Sequence, residues 1–327
     1  MLGSVYDADD ALQESLLRAW RGADGLRKAS SARAWLYTIA TNVCLTELQR
    51  RKRRMLPHDF GPAAEPHTPP GGPVTESTWI EPYPDESIGV PAVRAAPEAS
   101  YEQHESVELA FIAAMQHLAA NQRAVLLLRE VLGFSAAESA GMLDTTEAAV
   151  NSALQRARAA VRERIPHQSQ QANLRTLGDR GLRALVDRYV HAWEHNDVEA
   201  FTSLLVADAS FAMPPLRSWY APRTTIATWA RETALSGAWR WRAILSRANA
   251  QPALAFYSWD EASGTHLPFA LNILTLRGDR VSDVTAFIVR SIEAAEPEAY
   301  LRFPEQAIDE RRLAGTFARF GLPATVP

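Results

Sequence analysis

The chain has 327 residues, 47% of them hydrophobic, and a formal net charge of −4. That length calls for more than one domain with ample apolar content for buried cores, and the charge excludes a polycation that grips nucleic acid over its whole surface. The single cysteine, Cys44, excludes an intramolecular disulfide, and neither a signal peptide nor an apolar run of about 18 residues is visible, so the chain reads as cytoplasmic with no membrane association.

The first element is DADDALQESLLRAW, Asp7 to Trp20. Its period predicts an amphipathic helix with a buried stripe of Leu12, Leu16 and Trp20. A second, acidic face carries Asp10, Gln13, Glu14 and Leu17. The next segment, Ser31 to Arg54, predicts a helix with Leu36, Ile39, Ala40, Val43 and Leu48 on its core face. It ends in five consecutive cations, Arg50 to Arg54. Cations suit a helix C-terminus, but this run exceeds what a cap needs and suits phosphate. A solvated charge run is the alternative.

Residues 56–100 are rich in proline and glycine and predict an extended linker. Within it, Trp79, Ile80 and Tyr83 are too apolar for an inert spacer and predict a docking segment. A linker with chance aromatics is the alternative.

Three helices are predicted from Asn121 to Arg164. Val125, Leu126, Leu128 and Leu132 form one buried face, and Gly133 ends that helix. Ser135 with Glu138 forms a capping box for the second, whose small face is Ala136, Ala137, Ala140 and Met142. Thr146 caps the third. Ala149, Val150, Ala153, Leu154, Ala157 and Val161 supply its buried side. Asn151, Ser152, Gln155, Arg156 and Arg158 lie opposite, where short polar residues suit base edges and arginines suit phosphates. A plain helical hairpin with a basic face remains the alternative.

Residues 167–180 predict a polar linker. Leu182, Leu185, Val186, Tyr189, Val190 and Trp193 then make an apolar helix stripe, followed by a helix at Val198 to Leu205. A short strand, a helix at Thr224 to Leu235 and four strand-like runs come next, with Gly278-Asp279 marking the last hairpin. Helices followed by an antiparallel sheet predict an α+β cone. Tyr189, Trp193, Trp219, Trp229, Trp241, Phe256, Tyr257 and Trp259 could line a pocket in it or simply fill its core. Asp187, His191, His195, Asp197 and Asp208 are available for acid–base work, and His191 and His195 stand at metal-ligand spacing. No third ligand is evident, and no cofactor is called for. The tail is amphipathic through Leu313, Phe317 and Phe320 and should fold back on the body.

Together, DADDALQESLLRAW, AWLYTIATNVCLTELQRRKRR and the 121–164 helices resemble the bacterial sigma-70 family, specifically its extracytoplasmic-function group. The first looks like region 2.2, the second like regions 2.3 and 2.4, the third like region 4. The resemblance implies a multidomain protein: all-α region 2 (1–55), linker (56–100), helix-turn-helix region 4 (101–166), linker (167–180), then a further domain (181–292) and tail (293–327). YVHAWEHNDVEAFTSLLVADASFAMPP makes that further domain resemble the SnoaL-like branch of the NTF2-like fold. WIEPYPDE resembles a linker element of sigma factors carrying such an extension.

The resemblance implies the following roles. Asp10, Gln13, Glu14 and Leu17 would bind core RNA polymerase, whose β′ clamp and β flap are the expected partners. Trp35, Tyr37, Thr38 and Asn42 would approach the melted −10 strand, although Trp35 has a strong packing alternative. Arg50, Arg51, Arg53 and Arg54 would hold backbone phosphates. Asn151, Ser152, Gln155 and Arg156, with Arg158, would read −35 promoter DNA. Many relatives carry arginine where this chain has Asn151, which predicts an altered −35 preference. Relatives also carry a helix, region 2.1, before residue 1. Either the start is placed late or region 2 is trimmed, and a trimmed domain would leave Leu12, Leu16 and Trp20 partly exposed. The expected function is promoter-specific initiation, regulated in cis by the C-terminal domain, with a small-molecule ligand as a candidate partner there. A standalone DNA-binding regulator and a SnoaL-type enzyme with a vestigial sigma portion are the rival readings.

Overall fold

The computed structural model describes residues 1–23, 32–70, 79–87, 105–166, 168–290 and 307–327. These fall into two compact units: residues 1–55 with 90–167, and residues 56–89 with 168–327.

The first unit is helical. Ser4 caps α1 (Val5–Gly22), its hydroxyl accepting from the Asp7 N–H. α1 buries Val5, Asp7, Ala11, Ser15 and Ala19, whereas Leu12, Leu16 and Trp20 are exposed by 57, 56 and 84%. The expected buried stripe is therefore wrong. The helix turns its four-residue repeat of small side chains inward, because these let it lie close against α2 (Ala32–Arg50). Of the predicted α2 core face, Val43 is buried and Leu36 is exposed.

α3 (Leu109–Gln116) and α4 (Ala120–Leu126) lead into a wider π-type turn at Leu127–Val131. Gly133 then reverses the chain at φ +70°, where an L side chain would be strained. α5 (Ala136–Met142) starts at the Ser135–Glu138 capping box, each side chain accepting from the other residue's backbone N–H. The Ser135 backbone N–H holds the Glu138 carboxyl below its ordinary range. Asp144 takes a positive φ at the turn, and Thr146 caps α6 (Glu147–Arg162) by accepting from Ala149. Val150, Ala153, Leu154, Ala157 and Val161 form the buried side of α6. Ala137 and Ala149, expected inside, face solvent.

The second unit opens its C-terminal part with α7 (Gln170–Glu194), broken at Gly178, which is non-helical with φ +67°. The expected linker at 167–180 is thus largely helix. Its amides explain why a polar segment stays folded. Gln170 donates to Leu276 O and accepts from Leu276 N–H, and Asn173 does the same with Gly278. Both residues are buried, and both complete backbone bonds at the end of one hairpin.

After α8 (Val198–Ser203), strands β1 (Leu205–Ala212) and β2 (Trp219–Tyr220) precede α9 (Arg223–Glu232). β3 (Trp241–Ala248), β4 (Gln251–Asp260), β5 (Thr265–Arg277) and β6 (Arg280–Ile288) complete a six-stranded sheet ordered β2-β1-β6-β5-β4-β3. β1 runs parallel to β6, and the remaining pairs are antiparallel. Register slips at Phe256/Tyr257 and Thr275/Leu276 bend the sheet. With α7, α8 and α9 packed over it, the domain is the expected α+β cone. The tail adds α10 (Glu310–Thr316) and closes on the sheet: Phe317 is buried edge-on against Tyr257, and Val326 exchanges backbone hydrogen bonds with His266.

Residues 56–70 and 79–87 do not run free as an extended linker. Ala64 bridges Tyr220, and Pro84 bridges Ala248. Trp79 and Ile80 are 7% and 1% exposed. Apolar burial offsets the ordering cost that a proline-rich chain would otherwise keep as entropy.

Candidate functional site

Each predicted DNA-facing residue on α6 lies on one exposed side. Asn151, Ser152, Gln155, Arg156 and Arg158 are all solvent-accessible, while alternate positions of the same helix are core. The Thr146 cap fixes the start of this helix, and Asn151 and Ser152 follow just after its first turn. Arg158 bends back to Glu130 at 2.6 Å, which leaves the other four as the open strip.

The α2 residues are less free. Arg54 is 9% exposed and clamps the Asp7 carboxylate through Nε at 3.1 Å and Nη2 at 2.5 Å. Arg51 joins the same carboxylate and also reaches Glu47 at 3.1 Å. Sequence reasoning gave both arginines to phosphate, but it could not see that the Asp7 face of α1 turns inward. Arg50 stands exposed, and Arg53 lies 3.1 Å from the His117 ring nitrogen. Asn42 is exposed, Thr38 back-bonds to Ala34 O at 2.8 Å, and Trp35 packs over Gly22. Tyr37 meets Phe134 edge-on at 5.3 Å, with the Arg33 guanidinium 4.4 Å from the Phe134 ring. Arg33 also donates to Leu132 O at 2.6 Å. Of the α2 residues expected near melted DNA, Tyr37 thus packs on the turn of the helix-turn-helix within the first unit.

On α1, Asp10, Gln13 and Leu17 are exposed, and Glu14 pairs with Arg18 at 2.6 Å. They form one polar face, as expected. Leu12, Leu16 and Trp20 add exposed apolar surface to the same helix.

In the second unit, the 79–87 segment is built onto the β3–β4 turn. Asn249 and Ala250 both take φ +56°. Asn249 exchanges hydrogen bonds with the Tyr83 backbone at 2.8 and 2.9 Å. Asp85 accepts from Ala250 N–H at 2.7 Å and from Arg247 at 2.9 Å. Trp79 stacks obliquely on Phe60 at 5.1 Å. Residues 56–70 lie along β2: Trp219 donates to Gly61 O at 3.0 Å, and Tyr220 donates to Thr68 O at 2.9 Å.

A cavity of about 60 Å³ opens inside the cone. Trp193, Trp229, Trp241 and Phe256 line it as expected; Tyr189, Trp219 and Trp259 do not. Tyr189 is fully buried behind it, stacked on Trp193. Trp219 sits outside on β2 against His58, and Trp259 packs under Arg240 and beside His266. Tyr257 is taken by the tail. Sequence reasoning missed Trp239, Phe269, Asn272 and Pro70, which are among the other lining residues. The inward side of β5 identifies Asn272 once register is known; nothing in the sequence places Pro70 there.

The residues considered for acid–base work lie elsewhere. Asp197 caps α8, Asp208 pairs with Arg277 at 2.9 Å, and the His191 and His195 rings lie 4.0 Å apart, outside the cavity lining. Among the described residues no cluster has the make-up of a metal site, and none of their helices is long and apolar enough to cross a membrane.

Residues 1–54 match the family Sigma-70 region 2, and residues 108–161 match Sigma-70, region 4. The ECF RNA polymerase sigma factor SigG of Mycobacterium tuberculosis is 41% identical over 292 residues, which cover 88% of this chain and 76% of SigG. The chain belongs to the ECF RNA polymerase sigma factors. A second relative, SigJ of the same organism, is 28% identical over 211 residues, covering 64% of this sigma factor and 58% of SigJ. The crystal structure of the extracytoplasmic function sigma factor SigJ superposes with a TM-score of 0.55 at 18% identity, covering 96% of this sigma factor and 92% of that chain. The helical sigma regions and the C-terminal α+β domain therefore share a fold with a solved member of the group.

Proposed function

We propose that this sigma factor docks on core RNA polymerase through the exposed α1 face of Asp10, Gln13, Glu14 and Leu17, and directs cytoplasmic, promoter-specific initiation. α2 serves the −10 element through Trp35, Tyr37, Thr38 and Asn42. Arg50 and Arg53 hold phosphate, while Arg51 and Arg54 stiffen the helix end through Asp7. Asn151, Ser152, Gln155 and Arg156 read the −35 element. The open strip on α6 carries this reading, because a stable cap and a packed opposite side present four side chains ready for a groove.

The C-terminal domain acts as a control domain in cis. The observation that supports it is the linker. The chain between region 2 and region 4 folds into the cone through Trp79, Ile80, Tyr83 and Asp85. A change in the cone is thereby a change in the tether joining the two promoter-reading regions. None of Asp187, His191, His195, Asp197 or Asp208 lines the cavity, which favours a regulatory cone holding a small-molecule ligand over a catalytic one. Run-off transcription by the full chain and by an Asp85→Ala, Trp79→Ala variant tests the control. Equal promoter output from both would contradict it.

A further inference from the structure

The cavity wall is apolar and aromatic, but it is not free of polar atoms. Trp193 Nε1, Trp229 Nε1 and Asn272 Oδ1 lie in buried side chains of the lining, and none has a hydrogen-bond partner among the described residues. Just behind them, the Tyr189 hydroxyl sits beside the Asn272 amide and the Trp193 indole, and burial raises its pKa. Buried donors and acceptors in folded proteins are nearly always paired. Two unpaired donors and an unpaired acceptor around one cavity therefore point to an occupant that supplies the missing acceptor and donor.

The lining limits what that occupant is. Among the described residues no lining side chain carries a charge, so a carboxylate or ammonium would be desolvated with nothing among them to compensate it. The cavity of about 60 Å³ holds on the order of five water-sized spheres, the room of one small ring. A hydroxyl both donates and accepts, so one such group can answer Asn272 Oδ1 and an indole N–H together. The aromatic lining of Trp241, Phe256 and Phe269 suits an aromatic or flat alicyclic body.

The linker closes the site. Pro70 forms part of the cavity wall. The residues before it are tied down by Thr68 O, which accepts from Tyr220, and by His67, 2.5 Å from Glu232. Tyr220 in turn stacks on Trp229 at 5.2 Å. A molecule in the cavity and the docked linker thus share walls, and what binds one favours the other.

We propose that the cone binds a neutral single-ring molecule bearing a hydroxyl, enclosed beneath residues 56–70, so that binding tightens the docked linker. This rests on reading the cavity as a ligand site. Titration calorimetry of the full-length protein with phenol, benzene and benzoate is the test, with hydrogen exchange of residues 56–70 as a second readout. Phenol should bind saturably, about tenfold more tightly than benzene, the worth of one net hydrogen bond, and benzoate should not bind. Exchange in residues 56–70 should slow with phenol. Asn272→Leu, which removes an unpaired acceptor, should keep the fold and erase the preference for phenol over benzene. Benzene or benzoate binding as well as phenol overturns the ligand class while leaving a ligand site. No binding by any of the three, with a folded protein, overturns the ligand site itself. Phenol binding with unchanged exchange overturns the linker enclosure.

Discussion

Replacing Asp7 by alanine should destabilise the first unit by about 3 kcal/mol. Asp7 and Arg54 side chains are 7% and 11% exposed, and their carboxylate–guanidinium contact is two-pronged. Removing one partner of a buried pair costs about 3–5 kcal/mol, because the remaining charge stays desolvated. The lower end applies here, since Arg54 has further contacts. Arg51 adds little, because at 41% exposure its share is screened to below about 1 kcal/mol. For a unit of this size the loss corresponds to a fall of about 10 °C in the melting midpoint. Scanning calorimetry of the full chain measures it, with hydrogen exchange in α1 identifying the transition. Asp7→Leu with Arg54→Met should recover most of the loss, since an apolar pair leaves no stranded charge. The variant Asp7→Ala should also free Arg51 and raise nonspecific affinity for heparin or duplex DNA. A midpoint within about 2 °C of wild type would refute the claim that this pair anchors the end of α2.

Three further outcomes follow from the same geometry. Ile80→Ala, at a side chain 1% exposed, should cost the second unit about 2–4 kcal/mol in denaturant unfolding and speed exchange across residues 79–87. Asn151→Arg should shift the preferred −35 base from adenine toward guanine by about tenfold in promoter selection, because Asn pairs with adenine N6/N7 and Arg with guanine O6/N7. Glu138 has its carboxyl held below the ordinary range by Ser135. Its depressed folded-state pKa means that the cap's stability is present above the unfolded value and is lost as pH falls through the folded value. Glu138→Gln should abolish that acid-side slope in α5, as followed by amide exchange against pH.

The sequence made regular elements legible where a local rule sufficed. The Ser135–Glu138 box, the Thr146 cap, Gly133 and the Gly278-Asp279 hairpin are written in four or fewer residues, and all occur where expected. The cone's strands were readable because runs such as Ala253 to Trp259 are continuous and apolar. What was illegible depended on partners far along the chain. In α1 large side chains suggested the buried face, yet Ala11, Ser15 and Ala19 won it, because close approach to α2 needs small groups and Asp7 needs Arg54. The polar segment before Gly178 looked like linker because Gln170 and Asn173 find their partners in a hairpin about 100 residues later. Proline content hid the folded state of residues 56–70 and 79–87 for the same reason. The cavity was half legible: tryptophans announced an aromatic interior, but only strand register separates Trp241, which lines it, from Trp259, which does not.

Run-off transcription reconstituted from core RNA polymerase and this chain tests the central claim most directly. Promoters selected from a random −35/−10 library should yield discrete starts. Output should fall at least about tenfold with Asn151→Ala, Gln155→Ala and Arg156→Ala combined, while core binding stays unchanged. Initiation that is absent, or that is indifferent to the α6 strip, would contradict the account.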